Sequence, residues 1–224
     1  MEKNLKKRIL TSIALLLLLF FAFINNYVLG YILMIVAPLS LLEFFGMTSI
    51  IFKKQKIKKF LINVIFILYI SYFCTFLLTL SFSLYLKILI FVILLTCVAS
   101  DIGGFTFGKI FKGPKLTKIS PKKTLSGMIG SFFLSIIVIY VFFYSSYIHL
   151  ENINKFSVET LILILLISTV SQIGDITISY FKRLSKIKNT GKIIPGHGGM
   201  LDRIDGMIFA FPFSYIIFSL EIIK

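Results

Sequence analysis

Four aspartates are all this chain contains, and each stands where an apolar run meets a polar stretch: Asp101, Asp175, Asp202 and Asp205. Asp202 and Asp205 belong to "PGHGGMLDRIDG", residues 195–206. Their spacing of three puts both carboxylates on one face of a helix beginning near Leu201. Asp175 belongs to "SQIGDITISYFKR", in which Ser171, Gln172, Asp175, Ser179 and Lys182 recur at helical spacing along one face. An ionised carboxylate near hydrocarbon costs about 2.5 kcal/mol or more, so such groups face a polar cavity and find partners. Three carboxylates converging from two helices would make a hard, oxygen-rich site for Mg²⁺, which takes one or two carboxylates plus phosphate oxygens and water. The same spacing equally suits a plainer arrangement, with Asp202 capping the last helix and Asp205 paired with Arg203 or a nearby lysine.

The residues around these aspartates have phosphate chemistry. Gly196, Gly198 and Gly199 free the backbone to approach a ligand, and N–H groups leading into a helix can hold phosphate. His197 could serve as a base, a metal ligand or a donor to phosphate, or could satisfy backbone groups in a tight turn. A second polar stretch, "DIGGFTFGKIFKGPKLTKISPKKTLSG" (residues 101–127), intersperses Gly103, Gly104, Gly108 and Gly113 with lysines. It ends in Ser120, Lys122, Lys123 and Thr124, hydroxyls and ammonium groups of the kind a polyphosphate needs at a helix start. On its own it also reads as a basic loop with a proline-initiated helix. His149 reads as an ordinary surface residue.

The elements that must position these groups are membrane spans. Of 224 residues 58% are hydrophobic and the mean hydropathy is +0.97, well above the globular range. Seven apolar runs approach the roughly 20 residues a helix needs to cross hydrocarbon: residues 10–24, 28–45, 60–82, 84–99, 128–147, 160–180 and 205–223. They are continuous Leu, Ile and Phe without the alternation of a barrel strand. The expected fold is an all-α integral membrane protein, a bundle of about seven transmembrane helices with its active site at the cytoplasmic face. It is expected to form one domain, with residues 1–100 as N-terminal spans and 101–224 as catalytic spans and loops. Residues 10–24 read as a retained first span, because no small-residue cleavage site follows the basic start. Cys74 and Cys97, both inside apolar runs, read as small buried hydrophobes.

The formal net charge of +15 does not point to nucleic acid. Of 24 Lys and Arg residues, four fall in residues 3–8, five in 53–59, six in 109–123 and six in 182–203. With seven spans and a cytoplasmic N-terminus, all four clusters lie on the cytoplasmic side, as the positive-inside rule requires. The surface they make faces anionic headgroups. The expected location is the cell (inner) membrane, crossed many times.

At this point the residues carry a resemblance. "SYFKRLSKIKNTGKIIPGHGGMLDRID", residues 179–205, resembles the signature of the phosphatidate cytidylyltransferases, the CDP-diacylglycerol synthases. Ser179, Lys182-Arg183, Lys188, the Pro-Gly-His-Gly-Gly run, a hydrophobic pair and Asp202-Arg203-x-Asp205 stand at matching spacing. Gly174-Asp175, residues 120–124 and Asp101 also resemble the family pattern, so the resemblance covers roughly residues 100–224. It implies a multi-span enzyme that condenses CTP with phosphatidate to CDP-diacylglycerol and pyrophosphate. It further implies that Asp175, Asp202 and Asp205 hold Mg²⁺, alone or with a second cation. The candidate catalytic set adds Lys182, Arg183, His197 and Arg203. The candidate nucleotide-binding set is Asp101, Ser120, Lys122, Lys123, Thr124, Gly198 and Gly199. Lys122 and Lys123 are expected at the triphosphate, Lys182 and Arg183 at the lipid phosphate. Partners implied are CTP, phosphatidate and membrane lipid, with a homodimer compatible and nucleic acid excluded.

Three positions depart from the family pattern: Ile178 where Glu is common, Asn189 where Asp is common, and Leu125-Ser126 where Trp-Glu is common. They put surrounding roles in doubt and leave the aspartate set intact. Two rivals share parts of the pattern. A CTP-dependent kinase of a polyprenol or other lipid alcohol would release CDP rather than pyrophosphate. A transporter would place its carboxylates deep in the membrane rather than at span ends.

Overall fold

The computed structural model describes residues 2–117, 120, 123–145, 157–194 and 198–219. Among them the regular structure is helical, in the order α1 (Glu2–Ile24), α2 (Asn26–Ile51), α3 (Lys56–Ser81), α4 (Leu84–Phe111), α5 (Leu125–Ser145), α6 (Val158–Leu184), α7 (Leu201–Ile204) and α8 (Met207–Ser219). Seven of these coincide with the expected apolar runs, and α7 is an added short turn ahead of α8. Five helices, α2 to α6, are long and apolar enough to cross a membrane. The apolar part of α1, Ile13–Ile24, and the 13-residue α8 are shorter. The break between the third and fourth runs falls at Phe82 and Ser83, as the sequence suggests.

One boundary differs in a way that matters. The polar stretch beginning at Asp101 is not loop at its start, because α4 continues through its glycines to Phe111. The helix stops where Lys112 and Gly113 take φ of 53° and 103°, a left-handed ending that glycine tolerates. Gly103, Gly104 and Gly108 therefore do helical packing rather than ligand approach.

The described chain forms two compact units. The first comprises residues 1–87 and 180–205, so the signature stretch joins the N-terminal helices; the second comprises residues 88–179 and 206–224. In the first unit α2 and α3 are held by the stacked rings of Phe44 and Phe66, 3.8 Å between centroids, and by Thr48 Oγ1 donating to Asn63 Oδ1 at 2.8 Å. Phe181, near the end of α6, lies 5.1 Å from Phe44 on the same reckoning.

In the second unit α4 meets α5 through small residues. A Cβ on Gly103 would come 2.3 Å from the Gly130 carbonyl oxygen, and one on Gly130 would come 2.3 Å from Phe107 Cβ. Within a bilayer no hydrophobic force separates helix faces from lipid, so close backbone approach and interhelical hydrogen bonds supply the association. A buried hydroxyl seam provides the bonds: Ser131 Oγ donates to Ser100 O at 2.7 Å, Ser135 Oγ to Thr96 O at 3.2 Å, and Ser100 and Ser168 hydroxyls share a contact of 2.9 Å joining α6. Single bonds of this kind average about 0.6 kcal/mol in membranes. Ser131→Ala should therefore lower the thermal midpoint in detergent only slightly, and a collapse of folded yield would assign the seam a larger role.

Candidate active site

The signature stretch begins where α6 ends. Lys186 takes φ 57°, Ile187 N donates to Lys182 O at 3.0 Å and Lys186 N to Arg183 O at 3.1 Å. This paired closure satisfies the last carbonyls of the helix and turns the chain back. It leaves Lys182 in the final turn, where an ammonium suits the negative helix end. Its Nζ donates to Asp202 Oδ1 at 2.7 Å, with both side chains largely buried, 13% and 12% exposed. The other oxygen, Oδ2, accepts Thr190 N at 2.8 Å and Gly199 N at 3.2 Å. Burial pushes the Asp202 carboxyl up, but the Lys182 ammonium and the two backbone N–H groups outweigh it and hold the pKa below its ordinary value. One carboxylate thus ties together the end of α6, the loop at Thr190 and the glycine turn.

Of the glycine turn, Gly198 and Gly199 are among the described residues. Gly198 has φ 91°, and its carbonyl accepts Ile194 N at 3.0 Å. Gly199 is so enclosed that a Cβ would lie 2.1 Å from Thr190 Oγ1 and 2.4 Å from Glu43 Oε2. Asp202 does not cap α7: the cap position is Met200, which makes no side-chain cap bond. The acceptor at that helix start is Glu43, which the sequence analysis missed. Glu43 sits on α2, 7% exposed, and its Oε1 accepts Met200 N while Oε2 accepts Leu201 N, each at 2.9 Å. Oε2 also accepts the Thr190 hydroxyl at 2.6 Å. A signal existed, since Glu43 is the one charged residue in the apolar run 28–45, and such residues seek partners.

The second unit carries another lysine–aspartate pair. Asp175, on α6, faces Lys123 Nζ at 2.6 Å through Oδ2 and accepts the Ser179 hydroxyl at 3.3 Å through Oδ1. Lys123 Nζ also donates to Gln172 O at 3.3 Å. Of the expected helical stripe, Asp175 meets this cation with its side chain, Gln172 meets it with its backbone carbonyl, and Ser179 bonds Asp175 instead. Lys123 arrives on a segment that doubles back: Leu116 N donates to Lys123 O at 2.8 Å and Leu125 N to Pro114 O at 3.0 Å. Thr124 Oγ1 accepts Gly127 N at 3.1 Å and caps α5, so its hydroxyl has a structural partner. Ser120 accepts Lys123 N through its carbonyl and takes part in the same turn.

A profile described as the cytidylyltransferase family matches residues 2–221. The chain belongs to the cytidylyltransferase family. Among curated relatives, the phosphatidate cytidylyltransferase of Rickettsia felis is 35% identical over 96% of this chain and 93% of its own length. That of Rickettsia prowazekii is 37% identical over 96% and 92%. The phosphatidate cytidylyltransferase of Thermotoga maritima is 40% identical over 52% of this chain and 42% of its own.

In this cytidylyltransferase-family chain the expected site residues fall into two sets. Asp202, Lys182, Gly198 and Gly199 come together in the first unit, Asp175 and Lys123 in the second. Asp205 continues α7 in helical backbone, φ −55° and ψ −42°, so it shares a face with Asp202 as its spacing predicts. Arg183 and Arg203 are exposed, as is Asp101 on α4. Lys122 and His197, with Gly196 and His149, lie outside the described residues. Among the described residues no three His, Cys, Asp or Glu side chains gather as a metal-binding group.

Proposed function

We propose that this chain is a phosphatidate cytidylyltransferase that condenses CTP with phosphatidate, giving CDP-diacylglycerol and pyrophosphate. The observation that carries the reading is the near-full-length likeness to relatives so named, supported by two lysine–carboxylate pairs on the stretches that bear the family pattern. A phosphatidate oxygen attacks the α-phosphorus of CTP, and the bond to pyrophosphate breaks as the new P–O bond forms. A phosphate monoester has a second pKa of about 6 and is largely dianionic at neutral pH, so no strong base is needed. The barrier lies in bringing two anions together, and catalysis is positioning and charge neutralisation.

The residues divide that work. Lys122 and Lys123 meet the triphosphate, while Lys182 and Arg183, at the end of a span, meet the lipid phosphate. Asp101, Ser120 and Thr124 border the nucleotide, and Arg203, His197 and the N–H groups of Gly198 and Gly199 serve the reacting phosphates. The active site faces the cytoplasm, with the N-terminus on the same side, because the basic clusters then obey the positive-inside rule.

The proposed donors are hard carboxylate oxygens of the kind Mg²⁺ takes, although among the described residues no three such side chains gather as a group. Asp175 and Asp202 each have one oxygen oriented by hydrogen-bond donors and the other turned toward a cationic group, here an ammonium. Hard oxygens so oriented, completed by phosphate oxygens and water, suit Mg²⁺. Asp175, Asp202 and Asp205 would hold it, alone or with a second cation, and its chemistry there is screening of phosphate charge.

Purified protein given CTP, Mg²⁺ and phosphatidate should form CDP-diacylglycerol and pyrophosphate in equal amounts. Chelation with EDTA should slow the rate by about a hundredfold or more. Release of CDP with a phosphorylated lipid alcohol would assign the kinase chemistry instead. Unchanged turnover in EDTA would remove Mg²⁺ from the proposal.

A further inference from the structure

Glu43 is a buried acidic side chain on a membrane-spanning helix, 147 residues from Thr190 and 158 from Leu201 in sequence, yet it is bonded to both. An enclosed carboxylate persists where donors replace its water, and here three do. Gly191 and Gly199 close around it: a Cβ on Gly191 would lie 2.3 Å from Oε1, and one on Gly199 2.4 Å from Oε2. The donors to Glu43 alternate with those to Asp202. Thr190 gives its N–H to Asp202 and its hydroxyl to Glu43; Gly199 N goes to Asp202, and the next two N–H groups, of Met200 and Leu201, go to Glu43. The two carboxylates therefore grip one backbone segment from two sides. Leu201 is the residue directly before Asp202, so a bond to its N–H fixes the backbone from which the Asp202 side chain projects.

We propose that Glu43 is a positioning residue for the reaction: through Thr190, Met200 and Leu201 it sets the placement of Asp202 and hence of Lys182. This rests on the cytidylyltransferase reading above for its kinetic consequence, but not for its structural one. Both Glu43 oxygens face donors, so an amide of the same size cannot replace the carboxylate. In whichever orientation, the NH₂ of glutamine points at a backbone N–H.

The test is Glu43→Gln, with Thr190→Val and Thr190→Ser beside it. Hydrogen exchange of the peptide covering residues 189–204 should quicken about tenfold or more at the Met200 and Leu201 amides in Glu43→Gln, with exchange in α4 and α5 unchanged. kcat per folded molecule should fall about a hundredfold, as a misplacement near 1 Å costs. Thr190→Val should slow turnover in the same sense, Thr190→Ser should restore it, and Glu43→Gln with Thr190→Val should be less than additive. A purely structural role would lower the thermal midpoint and folded yield while leaving kcat per folded molecule intact, and that result overturns the proposal. So does unchanged exchange at residues 200–201. If the wild-type protein makes no CDP-diacylglycerol, the activity reading fails, while the exchange result still decides whether Glu43 holds the segment.

Discussion

Asp202→Asn should reduce CDP-diacylglycerol formation by about two to three orders of magnitude, the size expected when one preorganised electrostatic group is lost from a site that stabilises developing phosphate charge. The variant is nearly isosteric, so the effect is electrostatic. With its nitrogen toward Lys182, the amide turns a donor against an ammonium; with its nitrogen the other way, it opposes Thr190 N and Gly199 N. Lys182, 13% exposed, loses its counter-charge in either case. The penalty of such an uncompensated charge is about 3–5 kcal/mol. pH supplies a second reading of the same group. The folded pKa of Asp202 lies below its ordinary value of 3.8, so its contribution to stability is present above that value and is lost as the pH falls through the folded pKa. Wild-type protein should therefore lose thermal stability as the pH falls below about 4, and Asp202→Asn should show a flatter acid limb. Full activity in the variant would take Asp202 out of the site.

The spans and the signature stretch could be read directly from the sequence because each rests on a local cause. Continuous Leu, Ile and Phe runs specify helices in lipid, and α2, α3 and α6 appear close to where those runs lie. The helix expected near Leu201 begins at that residue, since Gly198 at φ 91° turns the chain into it. What could not be read depends on partners distant in the chain. Gly103, Gly104 and Gly108 look like a loop beside lysines, and only the opposing Gly127, Gly130 and Ser131 of α5 make them a helix contact. That the Thr124 hydroxyl caps α5, by accepting Gly127 N, shows only once that helix forms. Asp202 looks like the cap of the last helix, a role taken by a glutamate of α2. Polar residues at span ends were legible as a class; which donor each one takes was not, because that is settled by packing. Glu43 marks the limit most sharply, since its isolation in an apolar run was visible but its partners were more than a hundred residues away.

Gly103→Val should cause a large loss of folded protein. A Cβ at Gly103 would meet the Gly130 carbonyl oxygen at 2.3 Å and its carbon at 2.9 Å, both backbone atoms that cannot rotate aside. The γ-methyls of valine extend the conflict toward Leu134, whose Cβ already lies 3.0 Å from the added position. Overpacking of this kind typically costs about 1–3 kcal/mol in a core that can shift; here the clash is with main chain, so the upper end applies. Relief requires α4 and α5 to separate by more than half an ångström, which stretches the Ser131–Ser100 and Ser135–Thr96 bonds that depend on the same approach. Separation also moves the start of α5, to which Lys123 is joined through the Thr124 cap, so the pairing of Lys123 with Asp175 should weaken along with the fold. Gly46→Ala is the matched control: nothing lies within 4 Å of its added Cβ, and alanine favours helix over glycine by about 1 kcal/mol. Detergent thermal melts and size-exclusion profiles should show Gly103→Val aggregated or lowered by many degrees and Gly46→Ala unchanged or raised. Equal behaviour of the two would mean that the α4–α5 contact is looser than its glycines indicate, and that Lys123 is held in place by its own segment rather than by the packing of these helices.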